Sequence, residues 1–186
     1  MLTAVEPWSG AYHVNPQVWT TAHFTQFTKI GDRHLPHGAG AARLARGGSF
    51  VSLVDGKGGL TIVLQKASYE HSRCIRPALA PYNTEDEEVT FELKGGLAKI
   101  ESFNGSKPRI FQKMEPLKVK AGGVVKLLLR KDAEYTLSNC GAAAAHGAHP
   151  PSPPPSTFTL PHTENFTTAS HYLPRYFTAR KSTTAS

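Results

Sequence analysis

Two runs of apolar and β-branched residues, Ser49-Phe50-Val51-Ser52-Leu53-Val54 and Leu60-Thr61-Ile62-Val63-Leu64-Gln65, stand on either side of Asp55-Gly56-Lys57-Gly58-Gly59. β-Branched side chains suit a pleated, half-buried surface, and the glycines supply the positive φ that a reversal of direction requires. The pair therefore predicts an antiparallel hairpin. Further strands are predicted over 88–93, 97–102, 109–113, 124–130 and 134–139, separated by Lys94-Gly95-Gly96, Ala121-Gly122-Gly123 and Lys131-Asp132. Short strands at this spacing, joined by glycine-bearing turns, point to a mainly β chain folded as an antiparallel β-sandwich.

One helix precedes the strands. Asn15 is a good N-cap, Pro16 suits the first helical position, and Val18, Trp19, Ala22, His23 and Phe27 form a single apolar face, which predicts a helix ending near Lys29 and Gly31. The stretch from Gly31 to Gly48 is rich in Gly, Ala, His and Arg without period and reads as a surface loop. The acidic run Glu85-Asp86-Glu87-Glu88 reads as a solvated turn. From Cys140 the chain becomes Ala, Gly, His and Pro, with Pro153-Pro154-Pro155 favouring extended polyproline geometry, and the C-terminal tail carries too few aliphatics to build a core.

With 186 residues the chain is long enough for one ordinary core. Its formal charge of +7 raises the question of nucleic acid. The basic residues are scattered, however, and neither a recognition motif nor a basic–aromatic stripe accompanies them, so no nucleic-acid partner is expected. No run approaches the roughly 20 apolar residues of a membrane span, and Met1-Leu2-Thr3-Ala4-Val5-Glu6-Pro7 lacks the features of a signal peptide. Two cysteines, Cys74 and Cys140, can pair with each other, pair outside the chain or stay free, and they lack the spacing of a zinc site. No metal and no cofactor is expected. Asn104-Gly105-Ser106 and Asn165-Phe166-Thr167 are sequons, which makes Asn104 and Asn165 glycosylation candidates in a secretory protein.

Catalytic chemistry is not evident. A glycosidase needs two facing carboxyl groups on a rigid scaffold, and no pair is placed by the pattern of Glu6, Glu85 to Glu88, Glu101, Glu115 and Glu134. No Gly-x-Ser-x-Gly elbow or phosphate-cradling loop occurs. Arg76 stands out because it lies between Cys74 and the rigid Pro77, where a guanidinium can present a fixed fork of donors to sugar hydroxyls or a carboxylate.

Five blocks in order resemble the galactocerebrosidase family of glycoside hydrolases. They are Glu6-Pro7-Trp8-Ser9-Gly10, Val18-Trp19-Thr20-Thr21-Ala22-His23-Phe24-Thr25-Gln26-Phe27-Thr28, Gly47-Gly48-Ser49-Phe50-Val51-Ser52-Leu53-Val54-Asp55-Gly56, His71-Ser72-Arg73-Cys74-Ile75-Arg76-Pro77 and Phe91-Glu92-Leu93-Lys94-Gly95. In that family a β/α barrel carries two catalytic glutamates, a β-sandwich packs on it and a lectin-like domain follows. The resemblance implies that residues 1–30 are the last loop and helix of such a barrel, 31–139 the sandwich and 140–186 a linker and poorly ordered tail, so that no catalytic residue lies in this chain. It implies that Arg76 contacts galactose and that Cys74 forms a disulfide to the barrel, which leaves Cys140 without that role. Tyr82-Asn83-Thr84-Glu85 stands where the family tends to carry a sequon and is not one. For the intact parent the resemblance implies a lysosomal retaining β-galactosidase acting on galactosylceramide or psychosine, with a lipid-presenting saposin as a partner. The competing expectation is a stand-alone carbohydrate-binding or interaction sandwich without catalysis.

Overall fold

In the computed structural model, residues 2–71, 80–94, 99–106, 109–141 and 151–161 are described. They divide into two compact units, one made of 1–15 with the chain from 148 onward and the other of 16–147. In the first, strands β1 (Leu2–Thr3) and β2 (His13–Val14) pair antiparallel around a short 3-10 turn, Pro7–Ser9. The second holds helix α1 (Pro16–Thr25) and the remaining strands: β3 (Arg33–His34), β4 (Ala41–Arg43), β5 (Ser49–Val54), β6 (Leu60–Gln65), β7 (Glu87–Glu92), β8 (Lys99–Ser106), β9 (Arg109–Lys113), β10 (Leu117–Lys118), β11 (Val124–Leu129) and β12 (Glu134–Ser138). No helix among the described residues is long and apolar enough to cross a membrane.

The predicted hairpin is present as β5 and β6, in register from Ser49↔Gln65 to Val54↔Leu60, with Gly56 and Gly58 at φ 73° and 95° in the connection. It lies at the middle of an eight-stranded sheet ordered β10-β8-β12-β6-β5-β3, in which β4 also pairs with β5 and β9 with β8. A second sheet, β7 with β11, faces it. Period-two alternation decides which side chains lie between them. Ile62 and Leu64 of β6, Tyr135 and Leu137 of β12 and Ile100 of β8 meet Val89, Leu93, Val125 and Leu129 in one buried cluster. This is the sandwich that the strand pattern predicts.

The opposite face of the large sheet is covered by α1. Ala22 and Phe27 pack with Phe103 and Phe111, and Trp19 stacks on Phe111 at 6.2 Å. Beneath the helix the sheet presents a row of buried hydroxyls, Thr61, Thr136 and Ser138. Each is satisfied locally: Thr61 Oγ1 donates to the Phe27 carbonyl at 3.0 Å and lies 2.9 Å from Ser138 Oγ, and Thr136 Oγ1 donates to the His23 carbonyl at 2.9 Å. The helix ends at Thr25, four residues before the predicted end, because the chain tightens there: Phe27 N–H bonds the Phe24 carbonyl, three residues back, at 3.1 Å.

Two other expectations are corrected. The stretch 31–48 is not only loop, since β3 and β4 lie in tandem along β5, opposite Val54–Leu53 and Val51–Ser49 respectively. Nor is the acidic run only a solvated turn, because Glu87 and Glu88 begin β7. Alternation turns Glu88 outward to Lys126 but puts Glu87 on the inner face, opposite Leu129. Lys66, which continues the inward row of Ile62 and Leu64, is fully buried and meets it: Lys66 Nζ donates to Glu87 Oε2 at 2.9 Å and to the Arg46 and Gly47 carbonyls at 2.8 Å each. The Ala45 and Arg46 amides donate to the same carboxylate at 3.2 and 3.1 Å. Burial pushes the Glu87 carboxyl up, but the Lys66 and backbone hydrogen bonds outweigh it and hold it below the usual range.

The turn that feeds Lys66 these carbonyls requires glycine. Gly47 and Gly48 lie at φ 76° and 90°, and a Cβ on Gly48 would fall 2.3 Å from the Gln65 carbonyl oxygen. Removing one partner of a buried ion pair strands the other, at a cost of about 3–5 kcal/mol. Lys66→Met is therefore expected to lower the unfolding free energy by about that amount in chemical denaturation. A loss below about 1 kcal/mol, as for an exposed pair, would refute the role.

Candidate functional site

Arg76 and Cys74 lie outside the described residues, as does Asn165. What the structure shows is how the stems on either side of the first two are held. The chain leaves the sheet after Gln65 and comes back at residues 80–85, and both stems are fastened to elements other than themselves.

On the outgoing stem, Lys66 N–H donates to the Ala133 carbonyl at 2.9 Å and the Lys66 carbonyl accepts from Asp132 N–H at 2.8 Å. Asp132 also accepts from Ser68 N–H, through Oδ1 at 2.7 Å. On the returning stem Glu85 N–H donates to the Arg46 carbonyl at 3.0 Å, and the Arg46 and Glu85 side chains pair at 3.4 Å. Thr84 Oγ1 donates to the Ala67 carbonyl at 3.2 Å and so joins one stem to the other, and Tyr69 and Tyr82 meet edge to face at 5.8 Å. Next along the chain, Asp86 takes Arg130 Nη1 at 2.6 Å and Lys131 N–H at 2.8 Å, contacts that hold its carboxyl below the usual carboxylate range.

Two clefts open at this end of the sheet, both lined by Gln65 and Ala67. One, of about 670 Å³, is bounded by Arg43, Gly47, Gly48 and the returning stem at Tyr82 and Asn83. The other, of about 590 Å³, is bounded by Thr20 of α1, Gly105, and the turn Arg130 to Glu134. Glu134 is the chemically unusual group in it. Burial pushes its carboxyl up to about 7, against a hydrogen bond from Thr20 that favours the charged form.

Glu134 has a counterpart on the same seam between α1 and β12. His23 is 1% exposed, with Nδ1 2.8 Å from Thr136 Oγ1. The single hydroxyl proton of Thr136 is used on the His23 carbonyl, so the ring must carry its proton on Nδ1 and present a bare Nε2. Nε2 faces Gly105, where a Cβ would come within 2.6 Å, and the ring meets Phe111 edge-on at 5.0 Å. Burial pushes His23 down to about 4.

The remaining sequence candidates are dispersed. Asn104 sits within β8, half-buried and paired with Tyr135 on one side and Gln112 on the other. Cys140 is free, at the far end of β12 from Glu134 and beside the Gly58–Gly59 turn. The stem-holding residues Ser68, Thr84 and Asp132 had no local signature, since the partners of Ser68 and Thr84 lie 64 and 17 residues away in sequence.

The chain matches Glycosyl hydrolase family 59 central domain over residues 37–144 and Glycosyl hydrolase family 59 over residues 1–26. It is 37% identical over 178 residues to a galactocerebrosidase of Salmo salar, covering 91% of this chain and 26% of that one. Against a galactocerebrosidase of Homo sapiens it is 36% identical over 170 residues, covering 85% of this chain and 24% of the relative. It thus spans about a quarter of the length of the curated relatives it matches. In fold it is similar to a GH30 endoxylanase of Clostridium papyrosolvens, with a TM-score of 0.52 and 14% identity over 70% of this chain and 28% of that one.

The two titrating groups on the α1 seam make opposite predictions. With His23 at about 4 folded and 6.5 unfolded, the unfolded chain takes up its proton first, so stability falls as pH drops from 6.5 toward 4. With Glu134 at about 7 folded and 4.5 unfolded, the unfolded chain loses its proton first, so stability falls as pH climbs from 4.5 toward 7. Between 4.5 and 6.5 the slopes oppose. Relative to wild type, Glu134→Gln is expected to gain stability with rising pH through that window, by well under the limiting slope of about 1.4 kcal/mol per unit because the carboxyl is partly exposed to solvent. Denaturation curves across a pH series would check it, and parallel profiles for the two proteins would refute it.

Proposed function

This chain belongs to glycosyl hydrolase family 59, and we propose that it is the sandwich part of a galactosylceramidase whose catalytic carboxylates lie in sequence outside these residues. The match to the family's central domain over residues 37–144 carries the reading, because it spans both stems and the segment between them. By this proposal the whole protein hydrolyses the β-galactosyl bond of galactosylceramide and psychosine with retention of configuration, through a covalent galactosyl intermediate on one of two carboxylates about 5 to 5.5 Å apart. Alone, the chain performs no hydrolysis.

Arg76 is the substrate contact this part supplies. Its guanidinium donates to galactose hydroxyls, and the anchoring of both stems of its segment to other elements supports a positioning contact. Cys74, two residues earlier, is bonded to a cysteine outside the chain, and that bond holds the segment from its other side. The lysosome is the proposed compartment, with a saposin presenting the lipid. The α1 seam supports an acidic setting, because between pH 4.5 and 6.5 His23 and Glu134 are both uncharged and their proton linkages offset each other.

The test is substitution of Arg76 in a complete protein. Hydrogen bonds from a charged donor contribute about 1.5–3 kcal/mol, so Arg76→Ala is expected to lower kcat/KM for galactosylceramide by about ten- to a hundredfold. The melting temperature should stay within about 2 °C, the shift that a fraction of a kcal/mol gives in a domain of this size. Unchanged kinetics would remove Arg76 from the substrate site.

A further inference from the structure

The smaller unit contains an arrangement that the glycosidase reading does not use. Its N-terminal half is a preformed turn: Ser9 is buried, its hydroxyl donates to the Glu6 carbonyl at 2.7 Å and accepts from Ala11 N–H at 3.1 Å, and Gly10 closes the turn at φ 77°. None of these bonds involves the other half of the unit. The turn displays the Trp8 indole and the Tyr12 backbone N–H, and against them lies the proline-rich stretch 151–161, which runs without regular secondary structure.

The contacts are spread along that stretch. Tyr12 N–H donates to Ser152 Oγ at 2.9 Å, Pro153 lies over Gly10, Trp8 Nε1–H donates to the Ser156 carbonyl at 2.6 Å, and the Trp8 ring meets Phe158 edge-on at 5.8 Å. A proline-rich strand has carbonyls but few N–H groups of its own, so it is recognised by aromatic rings that pack between prolines and by ring N–H donors that reach its carbonyls. A polyproline conformation is already populated before binding, which keeps the ordering cost low.

We propose that the Trp8 turn is a polyproline-recognition surface, with the chain's own segment 151–161 as its resident ligand and extended proline-rich peptides as the class it reads. The occupant is held as a tethered ligand, covalently part of the same chain, so it competes with any free peptide for the turn.

The full chain tests this with a labelled synthetic peptide of sequence 151–161 as probe. In wild type the tethered segment competes, so the peptide should bind at least about tenfold more weakly than it binds a chain carrying Pro153→Gly, Pro154→Gly, Pro155→Gly and Phe158→Ala. Adding Trp8→Phe to that variant keeps a ring and deletes the N–H, and should weaken peptide binding by about two- to tenfold. Each variant is compared at an unchanged denaturation midpoint, which reports the larger unit. Absence of saturable binding to the released chain would overturn the proposal, as would equal affinity in wild type and the released chain. Insensitivity to Trp8→Phe would overturn it too.

Discussion

The fold turns on a buried ammonium. Lys66 sits where an aliphatic residue would ordinarily extend the inner row of β6, and it gathers a carboxylate from the facing sheet and two carbonyls from the 46–48 turn. Taking such a group out of water is costly unless every proton finds a partner, and here all three do. The contact joins the two sheets at one end, fixes the turn that holds the returning stem through Arg46, and starts the outgoing stem at the same residue. Few single groups connect so many parts of a small sandwich. The glycines at 47 and 48 follow from it, because the turn has to present two successive carbonyls inward.

Much of this architecture was legible in the sequence and some was not. The hairpin of β5 and β6 announced itself through β-branched runs and glycines, and β7, β8, β9, β11 and β12 through similar short runs, with ends displaced by a few residues. β3 and β4 were invisible because Arg33-His34 and Ala41-Ala42-Arg43 have little strand preference of their own. They are strands because β5 offers an edge to pair with. Glu87 was misread for a related reason: four adjacent acids look solvated, and only the register with β11 shows that one of them faces inward. The hydroxyl row under α1 is a third case, since Thr136 and Ser138 alternate with Tyr135 and Leu137 in a manner that normally marks a solvent face.

At the site the division is similar. The local pattern and the family likeness drew attention to Arg76 and Cys74, whereas the residues that hold the two stems, Ser68, Thr84, Asp132 and Asp86, came only from the structure. Such residues are selected for geometry between distant parts of the chain and leave no motif. His23 and Glu134 belong to the same class. The helical pattern put His23 on an apolar face, but its seat against Phe111 and Gly105 emerges only when α1 is laid on the sheet.

The stems also bear on how this family can diversify. Residues 66–68 and 84–86 are anchored to Ala133, Asp132, Arg46 and Lys131, so the two ends of the excursion are held by elements outside it. Loop-closure entropy grows only slowly with length, so insertions or exchanges inside such an excursion perturb the host little. The stems form a socket. A lineage can rewrite what lies between the stems without renegotiating the sandwich that carries it.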